Sequence, residues 1–221
     1  NRFWRGLSGE MEPPLYGADL PGSLFEESDL ACGWSIRRLP SPLRLLDSSL
    51  PGVSTSMLYV GMRRAMFAFH VEDMNLYSIN LLHLGQPKSW YVVPPSEATR
   101  FERLASTSLP EEARACPEFL RHKQVLIAPM VLNAARIPFS TCLQRAGEIV
   151  ITFPEAYHAG FNHGFNIAES TNFASSRWLT AGRRARVCLC QPYSVRINMS
   201  SFATRVESFE ATGRELIERS H

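Results

Sequence analysis

The stretch that decides the fold is Phe67-Ala68-Phe69-His70-Val71-Glu72-Asp73, which ends in an alternation of apolar and polar side chains. Residues two apart on a β-strand point to the same side, so we expect His70 and Glu72 to project into one space. An imidazole beside a carboxylate supplies two ligands of the 2-His-1-carboxylate facial triad, which leaves neighbouring coordination positions on Fe(II) open for reactants. The stretch therefore predicts an iron site within a β-fold.

The third ligand would have to come from another strand, and two histidines qualify. Both lie in Tyr157-His158-Ala159-Gly160-Phe161-Asn162-His163-Gly164, which follows the apolar run Glu148–Phe153. A strand over that run would deliver His158 to the mouth of a barrel, and the glycine after it reads as a turn. The residues alone leave His158 and His163 both open, because a lone histidine on an apolar strand is often a core residue.

Short apolar and β-branched runs recur between turn residues from Val53 onward, a pattern typical of antiparallel β-proteins. The predicted strands are Met57–Val60, Met66–Val71, Tyr77–Leu84, Ser89–Val93, Val125–Ile127, Phe139–Leu143, Glu148–Phe153 and Phe165–Phe173. Helices are predicted around Phe101 with Ser96 as the cap, at Glu111–Ala115, after Pro117, and through Phe202, Val206 and Phe209 up to Gly213. The fold class is mainly β: a double-stranded β-helix, the jelly-roll or cupin barrel, with a few flanking helices.

The size and charge of the chain fit one domain and exclude several classes of protein. With 221 residues, of which 45% are hydrophobic, the chain can bury a substantial core. Its net charge of +2 is unlike the strongly basic surface of a dedicated nucleic-acid binder, and no apolar run approaches the length of a membrane span. We predict an irregular lead-in at 1–52, a catalytic barrel at 53–187 and a C-terminal segment with a helix at 188–221, all in one domain.

A site for an anion is indicated by Lys88 in Pro87-Lys88-Ser89-Trp90-Tyr91, close to the strand that carries Asn80. A lysine buried in an apolar strand costs free energy unless it meets an anion. The dicarboxylate 2-oxoglutarate would supply one, with its 2-oxo acid end on the iron. The alternative from the residues alone is a lysine exposed at a turn, with its stem lying over Trp90.

Four motifs together resemble the JmjC domain and, more narrowly, the Jumonji type-two histone demethylases, which act on trimethylated lysines of the histone H3 tail. The motifs are Phe69-His70-Val71-Glu72-Asp73-Met74, Leu76-Tyr77-Ser78-Ile79-Asn80, Pro87-Lys88-Ser89-Trp90-Tyr91 and Tyr157-His158-Ala159-Gly160-Phe161-Asn162-His163-Gly164-Phe165-Asn166. The resemblance runs from Tyr16 to about Phe202, nearly the whole chain. It implies a 2-oxoglutarate-dependent dioxygenase built on the predicted barrel.

The resemblance implies a role for each residue of the catalytic site. It implies His70, Glu72 and His158 as the iron ligands, which decides between the two candidate histidines. It implies that Tyr16 and Lys88 hold the distal carboxylate of 2-oxoglutarate. The further residues implied around this co-substrate are Phe67, Asn80, Trp90 and Thr152.

A second set of metal-binding residue types is Cys116-x5-His122 with a later Cys188-x-Cys190. Three thiols and an imidazole are the composition of a closed tetrahedral zinc site, although buried free cysteines are an equal reading of this unusual spacing. The type-two subfamily carries zinc at matching positions, so the resemblance implies a structural zinc that pins the C-terminal segment onto the barrel. The sparse cysteines favour a reducing compartment. Packing roles are predicted for the two that remain, Cys32 and Cys142.

The resemblance also implies a methyl-lysine pocket, in which oxygen atoms and aromatic faces hold the polarised methyl groups of a trimethylammonium. The implied lining is Gly52, Tyr59, Glu72, Ser170, Thr171 and Asn172. Three places depart from the family pattern: Met57 replaces a tyrosine of the pocket, Phe69 replaces a tryptophan, and Arg63-Arg64-Ala65 replaces a Trp-Lys-Thr run. We expect Met57 to loosen the pocket or to shift its preference between methylation states.

The implied activity is Fe(II)- and 2-oxoglutarate-dependent oxidative demethylation of tri- and dimethylated lysine on the histone H3 tail, with O2 as co-substrate and formaldehyde and succinate as products. The expected location is the nucleus, without membrane association and without sequence-specific nucleic-acid binding by this domain. Two alternatives stay open: a JmjC protein hydroxylase, and a chromatin scaffold that is catalytically silent. The zinc residues and the Ser170-Thr171 pair argue against the first, and the intact iron ligands with Lys88 argue against the second. Which H3 lysine is preferred stays open.

Overall fold

The computed structural model describes residues 2–7, 11–26 and 35–218, which form two antiparallel β-sheets with a cavity between them. The strands are β1 (Tyr16–Pro21), β2 (Met57–Gly61), β3 (Met66–His70), β4 (Tyr77–Gly85), β5 (Lys88–Val93), β6 (Ser140–Gln144), β7 (Ile149–Thr152), β8 (Tyr157–Asn162) and β9 (Asn166–Phe173). The five-stranded sheet has the order β1-β2-β9-β4-β7, and the four-stranded sheet has the order β3-β8-β5-β6. The predicted jelly-roll barrel is confirmed.

Helices connect and flank the strands. In the described ranges the α-helices are α1 (Arg2–Arg5), α2 (Ala98–Ser108), α3 (Pro110–Ala115), α4 (Pro129–Ala134), α5 (Trp178–Arg184) and α6 (Met199–Glu218). Short 3-10 helices cover Ile36–Arg38, Pro42–Leu45, Asp73–Asn75, Pro95–Glu97 and Phe119–His122. One apolar cluster packs α2 against the four-stranded sheet around Phe69, and another lies under α5 and α6 around Trp178. None of the helices in the described part of the chain has the length and apolar character of a bilayer span.

Strand β8 lies inside the four-stranded sheet and takes part in two pairings, with β3 on one side and β5 on the other. Opposite His158 on β8 stand His70 on β3 and Val92 on β5. Opposite Asn162, at the other end of β8, stands Lys88. Since residues two apart on a strand share a face, His158 and Asn162 point to the same side. The register thus places two polar pairs at the two ends of one strand.

Gly160 reads as a turn in the sequence but lies in the middle of β8. A Cβ at this position would lie 2.2 Å from the carbonyl oxygen of Ser89 and 2.5 Å from the ring of Phe67. A glycine inside a buried strand marks such a close approach of neighbouring chain segments. Strand β8 is therefore absent from the predicted strands, because the glycine suggests the wrong local structure.

The structure differs from the prediction at two other places in the chain. The segment 1–52, predicted to be irregular, contains β1, which pairs with β2 so that Tyr16 lies opposite Gly61. The run Val125–Ile127 is not a strand. Its one link to β3 among the backbone bonds of the described residues is a 2.8 Å hydrogen bond from the Phe69 N–H to the Val125 carbonyl, and Pro129 then begins α4.

The predicted helices are found at the expected places in the chain, but their ends differ from the prediction. Ser96 does not cap α2, because it lies within the preceding 3-10 turn, and the capping position is Glu97, whose side chain makes no capping hydrogen bond. The helix predicted near the C-terminus is α6, and it continues beyond Gly213 to Glu218. Phe202 and Val206 are buried, whereas Phe209 is exposed, because the apolar cluster reaches only the first half of the helix.

Candidate metal centres and active-site cavity

Three side chains meet at one place in the cavity: His70 at the end of β3, Glu72 shortly after it, and His158 on β8. The distance from Glu72 Oε1 to Nε2 is 3.7 Å for His70 and 3.2 Å for His158. The three donor atoms lie within 4.8 Å of one another. A single metal ion could contact all three, and the structure therefore brings the predicted iron ligands together.

The position of Glu72 follows from the way the chain leaves β3. The strand ends at His70, and Glu72 keeps an extended backbone with φ −63° and ψ 151° before the 3-10 turn Asp73–Asn75. Asn75 has a φ of 52°, so the chain reverses there. Arg121 supports the turn, because its guanidinium donates hydrogen bonds to the Glu72 carbonyl at 3.4 Å and to the Asn75 side-chain oxygen at 3.0 Å. Extended backbone geometry, without strand pairing, aims Glu72 beside His70.

Backbone carbonyls determine which nitrogen each histidine presents to the cavity. Nδ1 of His70 lies 2.8 Å from the carbonyl oxygen of Ala68, and Nδ1 of His158 lies 3.0 Å from that of Ala156. We assign the proton of each neutral ring to Nδ1, where it is donated to the carbonyl. Both Nε2 lone pairs are then free, and this is the form of imidazole that binds metals.

The carboxyl group of Glu72 is held in its ionised form. Its Oε2 accepts a hydrogen bond of 3.0 Å from Asn172 Nδ2. Burial alone would raise the pKa of this carboxyl, but the rings of His158 and His70, which donate to it from Nε2 whenever they carry a second proton, hold the pKa well below its ordinary value. Burial, together with the neighbouring His158, lowers the pKa of His70. Two neutral imidazoles and one carboxylate are a donor set that fits Fe(II).

The cavity beside these donors has a volume of about 350 Å³ and is lined by both sheets. The predicted co-substrate and substrate residues found in its lining are Tyr16, Gly52, Tyr59, Phe67, Asn80, Lys88, Trp90, Ser170 and Asn172. Thr152 and Thr171 are the two predicted residues that do not line it. The structure thus gathers most of the predicted site around one space.

Lys88 is buried where β5 pairs with the far end of β8, and only 1% of it is exposed. Its Nζ donates a hydrogen bond of 2.6 Å to Asn162 Oδ1 and lies 3.5 Å from the hydroxyl of Tyr16. Burial lowers the pKa of this ammonium to about 8, and no acidic group of the described residues offsets the effect. The exposed alternative for Lys88 is therefore wrong. A buried ammonium at the wall of a cavity is a site for an anion.

Gln144 joins two of the predicted co-substrate residues, and the sequence alone gives no signal for it. It is fully buried at the end of β6. Its Oε1 accepts a hydrogen bond of 2.9 Å from Trp90 Nε1, and its Nε2 donates to the carbonyl and side-chain oxygens of Asn80 at 2.9 and 3.2 Å. Thr152 lies one layer behind the cavity, where its hydroxyl is 2.5 Å from that of Ser78. Ser78 itself lines the cavity.

The cavity also offers oxygen atoms and an aromatic ring to a cation. The Tyr59 hydroxyl donates a hydrogen bond of 2.8 Å to Asp19 Oδ1, so its oxygen remains an acceptor for other groups. Burial, reinforced by the charge of Asp19, raises the pKa of Tyr59 and keeps the phenol protonated. The hydroxyl of Ser170 donates to the Ile79 carbonyl at 2.9 Å, which leaves its oxygen lone pairs available as well.

Thr171, predicted for the methyl-lysine pocket, and Met57, which departs from the family pattern there, both lie outside the cavity lining. Strand alternation on β9 puts Ser170 and Asn172 in the cavity wall and Thr171 on the opposite face, where Thr171 Oγ1 donates to the Val53 carbonyl at 3.2 Å. Thr171 therefore lies outside the cavity lining, and its contact with the substrate stays a prediction. Met57 is buried, and its methyl group lies 3.5 Å from the point where a Cβ on Gly52 would stand. It packs behind the cavity lining.

The second cluster of metal-binding side chains contains Cys116, His122, Cys188 and Cys190, whose donor atoms lie within 4.8 Å of one another. His122 Nε2 is 3.3 Å from Cys188 Sγ and 3.2 Å from Cys190 Sγ. Burial raises the pKa of Cys188, but hydrogen bonds with Cys190 and His122 outweigh burial and bring the pKa to about 6. The same coupling to Cys188 raises the pKa of Cys190 to about 12. Converging thiols and one imidazole fit a closed zinc site.

His163 and Cys142 lie away from both clusters. His163 stacks on Phe161 with ring centroids 5.0 Å apart, and its Nε2 is 2.8 Å from Ser89 Oγ, at an exposed position. Cys142 on β6 is exposed, so its predicted packing role is wrong. Cys32 lies outside the described residues.

Comparison with known proteins gives a family and a set of relatives. Residues 57–173 match the family described as JmjC domain, hydroxylase. The chain is 48% identical to the human protein named probable lysine-specific demethylase 4F over 215 residues, to mouse lysine-specific demethylase 4B over 205 residues, and to rat lysine-specific demethylase 4D over 205 residues. These matches cover 95%, 91% and 91% of this chain, and the chain spans 33%, 18% and 39% of those proteins. The resemblance inferred from the motifs is confirmed.

Proposed function

This chain belongs to the JmjC domain family, and on that basis we propose that it catalyses Fe(II)- and 2-oxoglutarate-dependent demethylation of tri- and dimethylated lysine on the histone H3 tail. In this reaction O2, 2-oxoglutarate and an N-methylated lysine yield formaldehyde, succinate, CO2 and a lysine with one methyl group fewer. The similarity to proteins named lysine-specific demethylases, over 91–95% of the chain, supports this substrate class.

One observation carries the proposal: a single cavity joins a two-histidine, one-carboxylate donor set to the buried ammonium of Lys88. The two ends of 2-oxoglutarate have matching chemistry, because its 2-oxo acid end chelates a metal and its distal carboxylate pairs with a cation. A site with both features would bind this acid in one direction only. The 2-oxo group would then face the donors, and the distal carboxylate would face Lys88.

The iron ligands in this proposal are His70, Glu72 and His158. When bound, Fe(II) supplies the O2 chemistry that protein side chains cannot perform. The chain contributes the two free Nε2 lone pairs and the ionised carboxylate, and it fixes their directions before any metal arrives. The hydrogen bond from Asn172 to Glu72 Oε2 leaves Oε1 as the carboxylate oxygen nearest to both histidines.

The distal carboxylate of 2-oxoglutarate would be held by Lys88 and Tyr16. Burial raises the pKa of Tyr16 to about 12, so its phenol stays protonated and can donate a hydrogen bond. Phe67 and Trp90, whose rings meet edge to face at 4.8 Å, would enclose the carbon chain of the acid. Asn80 would assist from β4, and Thr152 would act indirectly, through its contact with Ser78.

The methylated ammonium group of the substrate would lie among Gly52, Tyr59, Glu72, Ser170 and Asn172. Its polarised methyl groups make weak hydrogen bonds with oxygen acceptors, and its charge is attracted to an aromatic face. The carboxylates of Glu72 and Asp19 in the same cavity wall add a favourable field for a cation. We place Thr171 outside this pocket because of its position on β9.

The four donors of the second cluster would bind zinc. The ion would join the segment that carries Cys188 and Cys190 to the 3-10 helix that ends at His122 and to Cys116 before it. This ion would fasten the C-terminal segment to the catalytic barrel. The same proposal places the action of the protein in the nucleus, where histones are packaged.

The proposal is tested by mass spectrometry of trimethylated H3-tail peptides incubated with the protein, Fe(II), 2-oxoglutarate and ascorbate. We expect stepwise loss of methyl groups with release of formaldehyde, and no loss with the His70→Ala variant. The peptide that reacts identifies the preferred lysine. A peptide that gains one oxygen and keeps its methyl groups would instead identify a protein hydroxylase. Unchanged peptides, at concentrations where iron and 2-oxoglutarate are bound, would favour the silent scaffold.

A further inference from the structure

The ammonium of Lys88 is directed by a neutral amide. Asn162 lies directly opposite Lys88 in the pairing of β5 with β8, and it is 1% exposed. Its Oδ1 accepts the 2.6 Å hydrogen bond from Lys88 Nζ, the shortest polar contact of the lysine among the described residues. The position of the Lys88 charge at the cavity wall therefore depends on a residue that does not itself line the cavity.

A second amide fixes the orientation of Asn162. Asn166 is fully buried at the start of β9, and its Nδ2 donates to Asn162 Oδ1 at 3.0 Å and to the carbonyl of Gln86 at 2.9 Å. Oδ1 of Asn162 thus accepts from two donors, Lys88 and Asn166. A flipped Asn162 amide would turn its NH2 group toward both donors and lose both bonds, so the orientation is determined by the network.

Gly61 provides the space that the two amides occupy. A Cβ on Gly61 would lie 2.3 Å from Asn162 Nδ2 and 2.5 Å from Asn166 Oδ1, which is closer than side chains approach one another. In the register of the five-stranded sheet, Gly61 lies between Tyr16 on β1 and Asn166 on β9. The same level of the barrel therefore carries the phenol, the glycine, both amides and the ammonium.

An amide at position 162 differs from a carboxylate in one decisive way. Both accept a hydrogen bond from Lys88, but a carboxylate would also neutralise the ammonium by forming a buried ion pair. The amide sets the direction of Nζ and leaves the positive charge without a counter-charge, in agreement with a Lys88 pKa that burial lowers to about 8. A buried ammonium without a counter-charge is stabilised strongly when an anion binds to it.

We propose that Asn162, oriented by Asn166, is a positioning residue that holds the Lys88 ammonium in place without neutralising it, and so reserves that charge for the distal carboxylate of a 2-oxo dicarboxylic acid. This inference rests on the proposed function, because it concerns the co-substrate of that reaction. It adds to the site a pair of amides that act through Lys88 and do not touch the co-substrate.

The test compares two acids that differ only at the distal end. The protein is loaded with Fe(II) without oxygen and titrated with 2-oxoglutarate or with 2-oxopentanoate, in which a methyl group replaces the distal carboxylate. Chelation is followed by the visible absorption that a 2-oxo acid gives on Fe(II), so no turnover is needed. The variants are Asn162→Asp, which has nearly the same shape, and Asn162→Ala, which lacks the acceptor. Asn133→Asp, at an exposed position on α4, adds the same charge outside the cavity.

We expect Asn162→Asp to raise the Kd of 2-oxoglutarate about tenfold or more, and Asn162→Ala to raise it about three- to tenfold. The Kd of 2-oxopentanoate should stay within about twofold in both variants, which also shows that they are folded and hold iron. Asn133→Asp should change neither value. Unchanged 2-oxoglutarate binding in both Asn162 variants, or equal weakening of both acids, would overturn the inference. Failure of the unaltered protein to bind 2-oxoglutarate would overturn the proposed function, and the inference with it.

Discussion

The two candidate metal centres bring their donors together in opposite ways. At the first, His70 and His158 lie opposite each other on paired strands, and the residue just beyond β3 adds the carboxylate. At the second, His122 ends a 3-10 helix, and two of the thiols belong to an irregular segment that follows α5. Hydrogen-bonded strands hold the two histidines of the first set, whereas the second set is supplied by connecting segments that no strand pairing aligns.

This difference predicts what a metal would do for the protein at each centre. Around Glu72, the Nδ1 hydrogen bonds, the amide of Asn172 and the sheet register position the donors without an ion. Around His122, the ion itself would be the main link between distant segments, as in small domains whose folding free energy comes from zinc binding. We therefore expect loss of the first metal to remove activity with little change in stability, and loss of the second to lower stability.

The largest effect is expected at the first centre. His158→Ala should reduce peptide demethylation below detection and lower the iron content of the purified protein, because one of three ligands is removed. The melting temperature should change by only a few degrees, since the sheet remains paired. His163→Ala is the matched control, because that histidine lies nearby on the outer surface, and it should retain iron and activity. Wild-type iron content in His158→Ala would disprove the assignment.

The next effect is expected at the second centre. Cys188→Ser should remove zinc, measured by elemental analysis, and lower the melting temperature by about 10 °C or more, because the segments then lose their common ligand. Cys142→Ser, at an exposed position of β6, should change neither quantity. If Cys188→Ser melted like the unaltered protein, the connecting segments would be held by packing, and the contrast between the centres would fail.

A smaller effect is expected from the support of Glu72. Asn172→Ala should weaken Fe(II) binding about 10- to 100-fold, because hydrogen-bond partners behind a metal ligand typically contribute that much. Thr171→Ala changes the next residue on the opposite face of β9 and should leave Fe(II) binding unchanged. Metal titrations of both variants decide the point. Equal losses in the two would mean that β9 acts only through its packing.

The smallest effect is a pH dependence at the other end of the cavity. The pKa of Lys88 is lowered from 10.5 to about 8, so the free protein loses this charge as the pH rises through 8. Affinity for 2-oxoglutarate should then fall about tenfold between pH 7 and pH 9, while 2-oxopentanoate shows no such change. Lys88→Met should remove the pH dependence. A flat profile for the unaltered protein would mean that another cation binds the distal carboxylate.

The same pKa shift has a definite sign for stability. Between pH 8 and 10.5 the unfolded chain still binds the proton that the folded chain has lost, so the unliganded fold gains stability as the pH rises. Below pH 8 the Lys88 ammonium is charged in both the folded and the unfolded chain, so its burial destabilises the fold to the full extent. Thermal unfolding of the free protein across this range, compared with Lys88→Met, measures the contribution.

The sequence alone was sufficient to predict the metal-binding side chains that alternate along one stretch of chain and those that belong to long motifs. His70 and Glu72 follow from strand geometry, and the choice of His158 follows from the resemblance. Gln144 and Asn162 were not predictable, because their roles depend on partners that only the folded sheet brings near. The position of Thr171 has a simpler cause: strand alternation on β9 turns its side chain out of the cavity wall once Ser170 and Asn172 face the cavity. Gly160 misleads because a glycine needed for close packing has the same appearance as a glycine in a turn.

The double pairing of β8 also restricts how this chain can change over generations. One end of the strand carries His158 and the other carries Asn162, on the same face. Deleting or inserting a single residue between them would turn one of the two to the opposite face, because strand side chains alternate. We therefore expect β8 to tolerate substitutions between these two positions more readily than a change of one residue in its length.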